Sequence, residues 1–200
     1  MIKKIASKLG YEGNKPLEFL NKRVCGLWLI WVGITILAAS IVGGQYLINP
    51  VIFCIGYFVG FVFILGSKSI RKRYSFGPPS KFQSKMINVS ITFMFVLMVL
   101  ISGRYFSVHD YRLIWLGAFL ATAIHFIPFA TVHGRILILL SIPLIIISVL
   151  GIMDPAISFI EIAIADGVTK IIFGLLMFLS KDPRIVAKVK NTVSQKSKNF

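Results

Sequence analysis

ILILLSIPLIIISVLGIM, residues Ile136–Met153, runs for eighteen residues without a single charge. As a helix it would rise about 27 Å, close to the ~30 Å hydrocarbon core of a bilayer. Working outward, five more stretches share its character: Val24–Val42, Leu47–Leu65, Met86–Ser102, Tyr111–Ala130 and Ala156–Leu179. Three of these carry no charge, the fourth has only Arg112 near its start, and the last contains Glu161, Asp166 and Lys170. The expected fold class is therefore all-α, a polytopic membrane protein with six transmembrane helices.

Composition agrees. Of 200 residues, 56% are apolar and 14% charged, against about 25% charged in soluble domains. The net charge of +15 would point to nucleic acid in a soluble protein. Its placement argues against that partner. Six Lys and Arg precede the first stretch, six lie between Lys68 and Lys85, Arg135 follows the fourth stretch, and six follow the last. In an alternating topology all nineteen share one side, and only Arg104 and Arg112 face the other. The positive-inside rule then puts both termini in the cytoplasm, with plasma-membrane localisation in a bacterium as the expectation. The domain organisation reads as a basic segment over 1–23, a transmembrane unit over 24–179 and a basic tail over 180–200. The segment before the first stretch exceeds twenty residues, which favours an uncleaved span over a signal peptide. Cys25 and Cys54 fall near opposite faces, too far apart for a bridge.

Local signals punctuate the chain. Asn49-Pro50 and Asp154-Pro155 each combine a capping side chain with the residue favoured at the first helical position, and so predict the starts of spans two and six. Gly56 and Gly60, four apart, predict a close helix–helix packing face. Gly77-Pro78-Pro79 forbids a continuous helix through the long basic connection Gly66–Lys85. That cluster predicts contact with anionic lipid at the cytoplasmic face. Short amphipathic interfacial helices are expected at the termini, one over Met1–Gly10 and one after Asp182-Pro183.

Charged groups inside apolar spans mark partners, cavities or pathways. Asp166 and Lys170 are one helical turn apart and can pair, the acid on the favourable N-terminal side. A self-neutralised pair, with Lys170 reaching toward the cytoplasmic side, is the structural alternative to a functional site. Counting helical rise, His125, Asp166 and Lys170 share a depth of about 17–23 Å, while Glu161 lies nearer the outer interface at about 9 Å. The four form a candidate intramembrane polar site. Pro128 lacks the N–H that would bond the Ile124 carbonyl, so it is a candidate hinge, its freed carbonyl offered to the His125 imidazole. No metal site is expected, because His125 and His133 are about 12 Å apart along a helix. Motifs for catalytic Ser or Cys, and cofactor-binding loops, are not evident. Ser90, Ser102, Ser141 and Ser148 are expected to satisfy backbone carbonyls.

The segment His125-Phe126-Ile127-Pro128-Phe129-Ala130 resembles one in small uncharacterised six-helix proteins of bacterial plasma membranes. That resemblance implies no activity. Two functions stay open on the residues. One is a small-solute or proton-linked carrier using His125, Asp166 and Lys170. The other is a non-catalytic scaffold, sensor or subunit acting through its basic cytoplasmic faces. Beyond the lipid bilayer, a homo-oligomer is a further candidate partner.

Overall fold

Asn49 and Pro50 begin a helix as their chemistry requires: the Asn49 side chain accepts hydrogen bonds from the N–H groups of Val51 and Ile52, at 3.1 and 3.2 Å. The computed structural model describes residue 11 and residues 17–185. Among these are seven α-helices and no strand. Helix α1 spans Lys22–Ile41, and α2 spans Pro50–Gly60 with a π-helical continuation over Phe61–Leu65. Next come α3 at Lys68–Tyr74, α4 at Lys81–Ser102, α5 at Tyr111–His133, α6 at Ile136–Met153 and α7 at Phe159–Phe178. The expected N-terminal interfacial helix, and the C-terminal one beyond Ile185, lie outside the described residues.

Helices α1, α4, α5 and α6 are each long and apolar enough to cross a membrane. The pair α2 and α3, bent by 60° at a short break, passes the same test as one broken span. Helix α7 has the length, at 20 residues, but Glu161, Asp166 and Lys170 interrupt its apolar run.

The start of α7 differs from the expected one. Asp154 does not cap it; its carboxylate accepts from the Ala156 N–H at 2.9 Å and closes a local turn. The helix begins at Phe159 behind Ser158, whose hydroxyl accepts from the Glu161 N–H while the Glu161 carboxylate accepts from the Ser158 N–H. Such reciprocal capping satisfies two amide donors that Asp154 could not reach together. After the Gly77-Pro78-Pro79 break, α4 starts with the same device, Ser80 and Gln83.

Helices α1, α5, α6 and α7 form the core. At the end of the bundle nearer the described termini, Cys25, Leu29, Ala123, Phe126, Leu140 and Met177 pack together. At the other end Val32, Ile36, Leu116, Phe119, Phe159 and Ile162 do so. Helices α1 and α7 run antiparallel with almost no gap. A Cβ built on Gly26 would lie 2.5 Å from the Gly174 carbonyl oxygen, and one on Gly33 the same distance from that of Gly167. Extending this register pairs Lys22 with Phe178 and Ile41 with Phe159, so the two helices begin and end together. Helix α2 lies on α1, where Gly56 and Gly60 face Thr35 and Trp31. The Trp31 indole donates to the Gly56 carbonyl at 2.7 Å. Helix α4 packs along α5 and leaves large apolar side chains such as Phe95, Val99 and Leu100 exposed.

Candidate functional site

Asp166 and Lys170 straddle the middle of α7, and their side chains are 0% and 1% exposed. Helical side chains lean toward the N-terminus of their helix. Lys170 accordingly reaches back one turn, and its ammonium donates to Asp166 Oδ2. This corrects the expected reach toward the cytoplasmic end: the partner lies the other way. The ammonium also sits over the face of Phe119 on α5, 5.4 Å from the ring centroid, a cation–π contact that offsets some of its lost hydration. Asp166 Oδ1 is buried with no hydrogen-bond partner among the described residues.

Tyr57 of α2 and His125 of α5 lie farther off, near enough to feel the charges of Asp166 and Lys170 respectively, and among the described residues no hydrogen bond joins either to the pair. His125 is buried against Phe126 and Phe129, with ring centroids 4.4 and 5.6 Å away. Its Nδ1 bonds the Thr122 carbonyl, and a carbonyl only accepts, so that nitrogen carries the proton and Nε2 is left to accept. The sequence had offered the Ile124 carbonyl instead. Helix α5 continues through Pro128 without a break, and the imidazole turns to the carbonyl three residues back.

Thus Asp166 and Lys170 pair in the interior and His125 is buried on α5 among residues of its own helix, while Glu161 is exposed and engaged in the α7 cap. Phe119 and Tyr57 were missed by sequence reasoning, since nothing local distinguishes them from other lipid-span aromatics. The space beside Gly167 is filled by α1, whose Gly33 carbonyl oxygen would stand 3.1 Å from an added Cβ. That glycine contact did have a signal: Gly26 and Gly33, like Gly167 and Gly174, are seven residues apart. Among the described residues no three His, Cys, Asp or Glu side chains converge as a metal site. Ser141 donates to the Ala123 carbonyl at 2.7 Å and Ser148 to that of Leu144 at 2.8 Å. Ser90 and Ser102 are buried without such a partner among the described residues.

The end of the bundle near the described termini is polar and tied together. Arg23 donates to the Ser180 carbonyl at 2.9 Å and stacks over Phe76. Arg184 donates to the Phe76 carbonyl at 2.7 Å and forks onto Asp182. That hydrogen bond from Arg184 holds the Asp182 carboxyl below the usual carboxylate range.

A family model described as a family of unknown function (DUF6609) matches residues 12–187. No curated protein and no solved structure matches the chain.

Proposed function

We propose that this chain, which belongs to the family of unknown function DUF6609, crosses the membrane six times and handles a proton at Asp166, Lys170 and His125 as a small-solute carrier. The sixth crossing rests on register. Helix α7 is coextensive with α1, so a bilayer thick enough for one takes both, and its charged pair faces protein rather than lipid. The positive-inside rule then sets both termini in the cytoplasm.

One observation supports the proton reading above the others: a fully buried carboxylate shares its charge with one lysine through a single oxygen, leaving the other without a partner among the described residues. A group so poorly saturated is poised to gain a proton or a hydrogen-bonding solute when the helices move apart. His125, buried on α5 with Nε2 able to accept, is the second titratable group of this reading.

Infrared difference spectra of the reconstituted protein, taken between about pH 4 and about pH 10, test this. The wild type is expected to show a titrating carboxyl band that Asp166→Asn removes. A spectrum without any band sensitive to Asp166→Asn would sink the reading. The second reading, a scaffold working through the basic cytoplasmic end, is favoured by the bonds that tie Arg23, Phe76 and Arg184 together there. Under it, Asp166 matters for stability alone.

A further inference from the structure

The chain bends by 60° between α2 and α3, at a break immediately after the last apolar residue, Leu65. Ser67 caps the new helix by accepting from the Ile70 N–H at 3.3 Å. If α2 ends at the bilayer boundary, α3 lies within about one helical turn of it, at headgroup depth. Tyr74, which packs on Phe178 with ring centroids 5.3 Å apart, suits the same level, where aromatic rings collect.

Beside α3 the structure has an open groove of about 370 Å³, lined by Asn21, Arg71, Lys72, Ser75, Phe76, Gly77 and Pro78. Its volume falls within the range of small-molecule sites. Two cations and two small polar side chains line it, and no acid does. Its walls are fixed from several directions. The Phe76 N–H donates to the Leu20 carbonyl at 2.9 Å, its carbonyl accepts from Arg184, and its ring lies under Arg23. The Ser75 hydroxyl accepts from the Gly77 N–H at 3.1 Å and donates to the Gly77 carbonyl at 2.8 Å. Arg71 Nη2 donates to the Gly66 carbonyl at 3.4 Å. The remaining Arg71 donors and the Lys72 ammonium, beside a rigid turn, are the kind of groups that receive a phosphate, Arg through a planar guanidinium and Lys as a compact charge.

We infer that this groove binds an anionic phosphate group, carried by the headgroup of an inner-leaflet lipid or by a soluble phosphate compound. This goes beyond the proton reading and uses from it only the placement of α3 at the membrane surface. Charge elsewhere on α3 does not replace it: Lys68 and Arg73 belong to the same helix but do not line the groove.

The full-length protein in neutral detergent is titrated with short-chain phosphatidylglycerol and, separately, with inorganic phosphate. Saturable binding is expected, weakened about tenfold or more by Arg71→Gln with Lys72→Gln. Lys68→Gln with Arg73→Gln should change it by no more than about twofold, as expected for charges outside the site. Lipid binding that inorganic phosphate does not displace assigns the group to a lipid headgroup; displacement at comparable concentration assigns it to a soluble compound. Equal loss in both double variants would reduce the groove to diffuse surface charge and overturn the inference, as would the absence of saturable binding to either probe. The measurement is blind to Asp166, so its failure leaves the proton reading standing.

Discussion

Asp166 and Lys170 are each tolerable in the interior only because of the other. Removing one partner of a buried pair strands a charge and costs about 3–5 kcal/mol, whereas replacing both with groups of similar shape is often neutral or stabilising. Lys170→Met alone is therefore expected to destabilise the folded protein by about 3–5 kcal/mol. Adding Asp166→Asn should recover most of that loss. Denaturant titration of the purified protein measures both. If the double variant regains stability but shows no carboxyl band, structural and proton-handling roles separate. If Lys170→Met proves harmless, the pair is not holding charge in the way its burial implies. At this scale the sequence was informative about which residues pair and silent about what surrounds them. The i to i+4 spacing announces the ion pair, but the Phe119 face over Lys170 comes from a helix some fifty residues earlier in the chain.

Between elements, the closest packing belongs to α1 and α7. Their glycines bring backbone against backbone, and a side chain there must push two helices apart. Gly33→Ala and Gly174→Ala are each expected to cost about 1–3 kcal/mol and lower the thermal midpoint. Gly103→Ala is the contrast. Its backbone is helical, with φ −55°, and the nearest atom to an added Cβ is 3.8 Å away, so it should be neutral or gain up to about 1 kcal/mol. Thermal denaturation monitored by circular dichroism compares the three, and equal midpoints would remove the glycine contact as a determinant. The helix start at Asn49, where one capping group stands alone, was legible, whereas the Ser80 cap that starts α4 at Lys81, five residues before the apolar stretch at Met86, was not read. A start was misread where two caps competed. Asp154-Pro155 and the Ser158–Glu161 box both offer caps, and only the second satisfies two donors at once. Glu161 was drawn into the candidate site for the same reason: a carboxylate near an apolar run looks intramembrane until its cap is seen.

For the whole molecule, the prediction is topological. In a background free of Cys25 and Cys54, a cysteine at Ser107 should react with a membrane-impermeant reagent in intact cells. A cysteine at Lys181 should react only after permeabilisation. Both positions are exposed, so the difference reports sidedness rather than burial. Reversed labelling would overturn the orientation, and with it the placement of α3 at the inner surface, whereas labelling of both positions from the same side would overturn the six-crossing arrangement.

Sequence alone determined the helical class, the apolar stretches and the clustering of Lys and Arg at both ends and between residues 68 and 85, because length, periodicity and charge placement act locally and are written in consecutive residues. It also determined that Asp166 and Lys170 share a helix face, since i to i+4 geometry needs no tertiary partner. Only the tertiary structure decided that α1 and α7 are coextensive, that the Phe119 ring of α5 lies against Lys170, and that Arg71 and Lys72 border a groove closed by Asn21 and Phe76. Those facts depend on which helix faces meet, and that choice is made by packing between residues more than a hundred positions apart in some cases, where no local rule reaches.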